Sequence, residues 1–499
     1  MKKPAFSASA FTLASLLLLS AAAIASCGQS DETAGKTETT ATTDTAAVTE
    51  TTQEKIDPAY QDNLGTYDYQ GEDFHFLLYG DGDPYNWSEV DVLTDGENGE
   101  TINDGIYARN LALEERLNIK VTGQFSLQAN SLLTKAVQAG DTTYDAAFLR
   151  LSEAGVPTAA GALYDFNDVP HIDQKKAYWD QSIIRDLSIG GHVYMMTGDI
   201  STIDNQATWI MMFNKTMIAE HDMTSPYTLV QEGKWTIDVF SSMTKDISAD
   251  LNGDGNYTMN DMYGLSTTMD TAYGLFYASG LTFISKDEND LPYYNLDMDK
   301  ATNVLKLSGE IFNEGNRTLL SDRIKNEIDN VITGIRNAFV EDRALFYAEV
   351  MFHVANLRQM EADFGIIPQP KYDEAQEHYI TFVNPAGSYL AVPAAVKDLD
   401  RTGVVLEAMA SASYQYLTPA YYNTALQQKY ARDNESSEML DLLLQNRVYD
   451  LAMIYGWGNI TQGYADLVQK NNSDLASMTA KREKQVVKAI NKFISNFEQ

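Results

Sequence analysis

The sequence predicts an α/β protein made of two α/β units. Three observations lead there. Apolar runs of strand length alternate with segments of helical character from residue 74 onward, the alternation restarts after residue 196, and no repeat of 20 to 50 residues points to a solenoid or propeller. The 499 residues, 44% hydrophobic and 11% aromatic, are enough for two or three domains with real cores.

In the first unit, Phe74-His75-Phe76-Leu77-Leu78-Tyr79 reads as a buried strand that stops at the turn formers Gly80-Asp81-Gly82-Asp83-Pro84. A helix is expected over Thr101–Leu117, with Ile106, Leu113 and Leu117 on one face and Arg109 and Glu115 among its polar positions. Residues 119–125 form a second strand, 131–139 a helix and 144–149 a third strand, the pattern of a parallel sheet with covering helices. The second unit opens at Trp209-Ile210-Met211-Met212-Phe213, a strand that runs directly into a helix over 215–221. Short apolar runs follow at 344–347, 364–367 and 389–392, and from Gly403 the chain is mostly helical in character.

Before these units lie segments of another kind. Met1-Lys2-Lys3 is a basic start and 11–24 is almost wholly apolar or small, which is the anatomy of a signal peptide and falls short of a membrane span. Ile24-Ala25-Ser26-Cys27-Gly28 resembles the bacterial lipoprotein box, in which the thiol carries a palmitate-type acyl group; an ordinary secretory cleavage site with a chance cysteine is the other reading. Residues 28–57 are rich in Thr, Ala, Glu and Asp, cannot bury enough surface to offset their ordering entropy, and read as a tether. The chain is therefore expected at the extracytoplasmic face of the cell membrane, held by lipid alone.

Charge and chemistry narrow the function. Asp plus Glu number 70 against 36 for Lys plus Arg, and a net charge of −34 repels nucleic acid and anionic bilayers. One cysteine excludes an internal disulfide framework and a multi-cysteine zinc site. None of His75, His171, His192, His221, His353 and His378 lies in a metal or hydrolase motif, and Gly80-Asp81-Gly82 lacks the third glycine of a dinucleotide loop. No motif marks an enzyme, although chance among 70 carboxylates leaves a glycosidase pair open.

One metal motif stands out. Residues 250–261, Asp250-Leu251-Asn252-Gly253-Asp254-Gly255-Asn256-Tyr257-Thr258-Met259-Asn260-Asp261, match the calcium-loop spacing at positions 1, 3, 5, 6 and 12. Asp250, Asn252, Asp254, the Asn256 carbonyl and Asp261 are the expected ligands of a structural calcium ion, with Asp261 where an EF-hand has a bidentate Glu. Residues 236–248 look helical and 263–266 extended, so this is half an EF-hand. A turn without an ion is the alternative.

Several stretches, in order, resemble the extracellular solute-binding protein family 1, the carbohydrate-type group that includes maltose-binding protein. They are Tyr107-Ala108-Arg109-Asn110 with Leu113-Glu114-Glu115-Arg116-Leu117-Asn118-Ile119, then Phe213-Asn214-Lys215, then Pro226-Tyr227 with Gly233-Lys234-Trp235-Thr236. The Asp250 loop and Phe364-Gly365-Ile366-Ile367-Pro368-Gln369-Pro370-Lys371-Tyr372 complete the series. The resemblance spans about 66–460. It implies a type II periplasmic-binding-protein fold, two α/β lobes joined by crossing strands around a ligand cleft, with crossings near 195–201 and 381–393. The division it implies is a signal peptide at 1–26, the acylated Cys27 and tether at 27–65, one lobe from 66–198 plus 382–430, and the other from 199–381 plus 431–499. It further implies a monomeric binding lipoprotein of an ABC importer, not an enzyme, that takes a carbohydrate and passes it to permease subunits. A surface-anchored glycan-active enzyme and a glycan-adhesion lipoprotein are the competing readings.

A sugar cleft needs flat aromatic faces and planar polar groups. Carried onto this chain, the candidates are Asp81, Asp83 and Trp87 in the loop after the first strand, Arg150 at the end of the third, and Asp199 at the crossing, where the family often has an acidic sugar ligand. Tyr273 and Phe276 follow the calcium loop, Tyr347 and Glu349 end a strand of the second lobe, and Trp457 stands in Tyr455-Gly456-Trp457-Gly458. Core packing is the alternative role for every aromatic among them. Trp179, Trp209 and Trp235 read as structural.

Overall fold

Strand β1 (Glu72–Tyr79) is the centre of the first sheet, because its side chains alternate between two cores. Phe74, Phe76 and Leu78 enter one, and Leu77 and Tyr79 enter the other. In a computed structural model of the chain, which describes residues 57–81, 92–357, 360–422 and 434–495, this strand pairs in parallel with β2 (Ile119–Ser126) and β3 (Ala146–Arg150).

The remaining strands are β4 (Trp209–Asn214), β5 (Tyr263–Thr267), β6 (Ile284–Lys286), β7 (Pro292–Tyr294), β8 (Thr318–Leu320), β9 (Ala344–Val350), β10 (Phe364–Ile367), β11 (Thr381–Phe382), β12 (Ser388–Ala391) and β13 (Arg447–Val448). The first sheet has the order β12-β3-β1-β2 and the second β10-β4-β9-β5-β8. The three strands expected to be parallel are parallel, and both sheets also hold antiparallel members. β12 runs antiparallel to β3, and β4 runs antiparallel to both β9 and β10; β12 and β4 are the strands by which the chain enters each sheet from the other.

The helix Thr101–Leu117 buries Ile106, Leu113 and Leu117, ends at Asn118 in the left-handed conformation, and packs along the helix Leu399–Ala420. Arg109, expected at a polar position of this helix, is fully buried. Its guanidinium donates to the carbonyls of Ile200 and Val92 at 3.1 Å each, which satisfies it where water cannot. The three tryptophans read as structural are at most 1% exposed, and each indole N–H has a partner: Glu407 for Trp179, Thr271 for Trp209 and the Pro368 carbonyl for Trp235.

The chain passes between the two sheets at three places that lie side by side. Met196 exchanges backbone hydrogen bonds with Leu390 of β12, Thr208 bridges Val383, and β11 pairs in parallel with β13. No described helix is long and apolar enough to cross a membrane.

Candidate functional site

The ends of the central strands meet at this seam. After Arg150 the chain turns into Leu151 and Ser152, whose N–H groups donate to the carbonyls of Gly387 and Pro385 at 3.0 and 2.7 Å. Asn384 reaches from the same loop to the Asp270 carboxylate at 3.0 Å, at the start of the helix Thr271–Ala278 that follows β5. β9 arrives beside it with Glu349 and Val350.

A groove of about 400 Å³ opens next to the β3 end. One wall is Ser152, Glu153, Gly155, Val156 and Ala159, from the turn and short helix after β3. The other is Ile454, Tyr455, Gly456 and Trp457, backed by Ala489, Lys492 and Phe493 of the last helix, Leu475–Ser495. Tyr455 and Trp457 stack with centroids 5.1 Å apart and planes 13° apart, and the Phe493 ring stands 4.7 Å from Tyr455 and 5.6 Å from Trp457. The local sequence explains the presentation. Gly456, Gly458 and Asn459 all have positive φ, and a Cβ on Gly458 would stand 2.7 Å from Val486 Cγ2, so only glycine lets this loop close on the last helix.

The sequence candidates fall in different places. Arg150 is half-buried in β3, donates to Tyr79 Oη at 2.8 Å, and its guanidinium lies 5.3 Å from the centre of that ring. Asp81 is exposed just beyond β1, while Asp83 and Trp87 lie outside the described residues. Asp199 is half-buried on the first crossing; burial pushes its carboxyl up to about 7, against the opposing effects of its bond with Thr418 and of Arg447. Trp457 is 5% exposed and lines the groove.

The structure places others in cores. Phe276 is fully buried, stacked on Phe283 at 4.5 Å and tilted against Tyr464 at 4.8 Å. Tyr347 is fully buried and packs on Phe339 at 5.7 Å. Tyr273 is buried within the same core as Phe382. All three sit on elements covered on both faces, where an aromatic ring fills space and cannot face solvent. Glu349 is also buried, which lifts its carboxyl to about 8; the Val350 N–H at 3.0 Å opposes this and the charge of Asp270 adds to it. Asp270 is likewise raised by burial, with Asn384 opposing. His353, just beyond β9, is held down to about 4, first by burial and then by the charge of Arg336.

Sequence reasoning missed Glu153, Tyr455, Lys492 and Phe493 of the groove, although Tyr455 is two residues from a chosen tryptophan. Lys492 and Phe493 carry no signal of their own, because they reach the groove only through the packing of the last helix. It also missed Arg447, which is paired with Asp180 at 2.8 Å and Asp204 at 3.0 Å, partners more than two hundred residues away in sequence.

In the loop 250–261, the Asp250 carboxylate accepts the N–H groups of Gly253 and Gly255 at 2.7 Å each, and Asp254 accepts that of Asn256 at 2.7 Å. Asp261 accepts from Leu251 at 3.0 Å and Thr258 at 2.7 Å; burial works to raise its pKa, but these bonds outweigh it and hold the carboxyl below the usual range. An antiparallel bridge between Ala249 and Met262 closes the loop, and the preceding helix, Ile237–Thr244, ends earlier than the residues 236–248 expected from sequence. The donor oxygens are of the hard type that calcium takes. Among the described residues, no three His, Cys, Asp or Glu side chains stand close enough together to hold a metal ion.

No family model matches the chain, and no curated protein matches it. Solved structures do. The GacH receptor of Streptomyces glaucescens, studied with and without acarbose, aligns with a TM-score of 0.53 at 12% identity over 84% of this chain and 99% of its own. An ABC substrate-binding protein from Listeria monocytogenes in complex with cycloalternan aligns at 0.55 and 12%, covering 85% and 99%. The MalE maltose/maltodextrin-binding domain from Bdellovibrio bacteriovorus, bound to maltotriose, aligns at 0.52 and 12%, covering 86% and 100%. Likeness at this identity shows the fold: the chain has the two-lobed α/β architecture of the type II periplasmic binding proteins.

Proposed function

We propose that this chain is the substrate-binding lipoprotein of an ABC importer, binding a sugar or oligosaccharide between its lobes and delivering it unchanged to permease subunits. One observation carries the reading. The groove beside the β3 end joins a wall of small residues to an aromatic wall of Tyr455, Trp457 and Phe493, with Glu153 and Lys492 as its charged groups. Flat rings suit the C–H faces of a pyranose, and the charged groups suit its hydroxyls. The acarbose, cycloalternan and maltotriose of the similar structures support a carbohydrate as ligand. Asp199 and Arg150 at the seam, with Asp81 beyond β1, are proposed as further polar contacts, and Asp83 and Trp87 keep that role as a proposal.

Acylation at Cys27 after removal of 1–26 would hold the monomer on the extracytoplasmic face of the membrane, with 27–56 as tether; residues 57–65, expected as its end, instead pack on the first lobe, where Asp62 pairs with Arg116 at 2.7 Å and Tyr60 stacks on Tyr414. The lobes are proposed as 66–198 plus 382–430 and 199–381 plus 431–499. Calcium is proposed as a structural ion on the second lobe. Asp250, Asn252, Asp254, the Asn256 carbonyl and Asp261 would hold it, and its contribution would be to stiffen the loop.

Thermal shift against a panel of mono- and oligosaccharides tests the reading. A ligand at about one hundred times its dissociation constant adds about 2.7 kcal/mol to stability. A panel in which no saccharide raises the melting temperature contradicts sugar binding, and release of reducing ends from any of them contradicts the non-enzymatic role.

A further inference from the structure

The last helix reverses the sign of the chain. Residues 481–492 hold five of the 36 basic residues, Lys481, Arg482, Lys484, Lys488 and Lys492, against the single acid Glu483, in a protein whose net charge is −34. Two of these charges have neighbours. Arg482 donates to the Gly458 carbonyl at 2.9 Å, and the charge of Glu483 acts on Tyr294 of β7. The four lysines are exposed, and among the described residues none has an acid at ion-pair distance, unlike Lys234, Lys286 and Lys306, which pair with Glu232, Asp290 and Glu310.

Three of the lysines form a row. Lys484, Lys488 and Lys492 are spaced i, i+4, i+8, which sets them one above another on a single face, about 12 Å from first to last along the axis. The row ends in the groove, where Lys492 lines the wall together with Ala489 and Phe493 of the same helix. Like charges at this spacing weaken a helix, and the favourable pull of the helix C-terminus reaches only the last turn, where Lys492 stands. Folding therefore gives no reason for Lys484 and Lys488. Solubility gives none either, because the net charge is already far from zero. The opposite wall does not cancel the row: Glu153 is the one acid lining the groove, and the Arg150 guanidinium lies 3.9 Å from it.

We propose that the groove takes an acidic oligosaccharide of the uronic-acid class, with one ring against the aromatic wall beside Lys492 and the carboxylates of the following rings along Lys488 and Lys484. The inference rests on the sugar-binding reading of this groove and narrows it. A single glycan chain meets only the row, where the local potential is positive. A bilayer or a nucleic-acid duplex spreads its charge over an area that also meets the acidic remainder of the surface. The length of the row ties recognition to chain length. One ring reaches Lys492 alone, and further rings add Lys488 and then Lys484.

Calorimetry on the mature chain tests this with tri- and tetrasaccharides of galacturonic, glucuronic and mannuronic acid, each beside its methyl ester, which keeps the ring faces and loses the charge. At least one acid is expected to bind about tenfold tighter than its ester, with a preference that shrinks as salt is added. The double variant Lys484→Gln with Lys488→Gln, at exposed positions outside the groove lining, is expected to lose about fivefold on the acid at an unchanged melting temperature. Esters that bind as tightly as the acids overturn the inference, as does a double variant with undiminished affinity for the acid. Sedimentation with phosphatidylglycerol vesicles that the double variant abolishes overturns it too, by assigning the row to a membrane. If neutral sugars bind and no uronide does, this inference fails and the sugar-binding reading stands; if no saccharide of either kind binds, both fail.

Discussion

Glu349 gives the sharpest quantitative prediction. Its side chain is 5% exposed, its bond to the Val350 N–H is weak compensation for lost hydration, and Asp270 repels its charge. The folded pKa is therefore raised from 4.5 to about 8. The sign follows. The folded state holds the proton more tightly than the unfolded chain, so this group's contribution is complete below the unfolded value and is lost as pH rises toward and through the folded one. Each unit of difference is worth about 1.4 kcal/mol, so between about pH 5 and about pH 8 the wild type loses on the order of 3 kcal/mol through Glu349. Glu349→Gln keeps an oxygen for the Val350 N–H and removes the titration. Urea unfolding of both proteins at the two pH values isolates this share, since Asp199, Asp204 and Asp450, also raised by burial, titrate alike in both. The variant gains stability relative to wild type by roughly 3 kcal/mol at the higher pH. Parallel pH profiles would refute the reasoning.

Replacing Arg447 with Met leaves Asp180 and Asp204 buried without their cation and is expected to cost about 3 to 5 kcal/mol in denaturant unfolding, more than removal of an exposed ion pair such as Lys234 with Glu232. Lys492→Ala, at an exposed position of the last helix, is expected to weaken saccharide binding at least severalfold in calorimetry with an unchanged melting temperature, whereas Trp457→Ala is expected to lower both, since the ring is 5% exposed and its removal opens a cavity costing about 3 to 5 kcal/mol. If the loop 250–261 takes calcium, a melting curve rises with added calcium and falls with chelator, and Asp250→Ala removes the difference; a curve indifferent to both counts against the ion.

Much of the first sheet was legible because β1 and β3 are short apolar runs bounded by turn formers, and the helix between them shows its buried face as Ile106, Leu113 and Leu117. The parallel direction of β1, β2 and β3 was legible as well, but that of β12 was not. β12 looks like β1 in composition, and what turns it antiparallel is the passage of the chain back from the second sheet. The same holds for the candidate site. Trp457 is conspicuous between glycines, and the structure sets it on the groove wall. Phe276, inside the helix after β5, and Tyr347, at the middle of β9, are as aromatic as Trp457, yet they are core, since burial depends on what packs from distant sequence. Arg447 makes the point most strongly: its partners Asp180 and Asp204 belong to no motif, and only the meeting of the crossing segments brings them together.

The most direct test of a hinged sugar clamp is scattering from the mature chain at fixed pH, with and without a saturating saccharide identified by thermal shift. Lobes that close on a ligand give a smaller radius of gyration when it is bound, with the saccharide recovered intact. An identical radius in both states, or a chemically altered sugar, would contradict it.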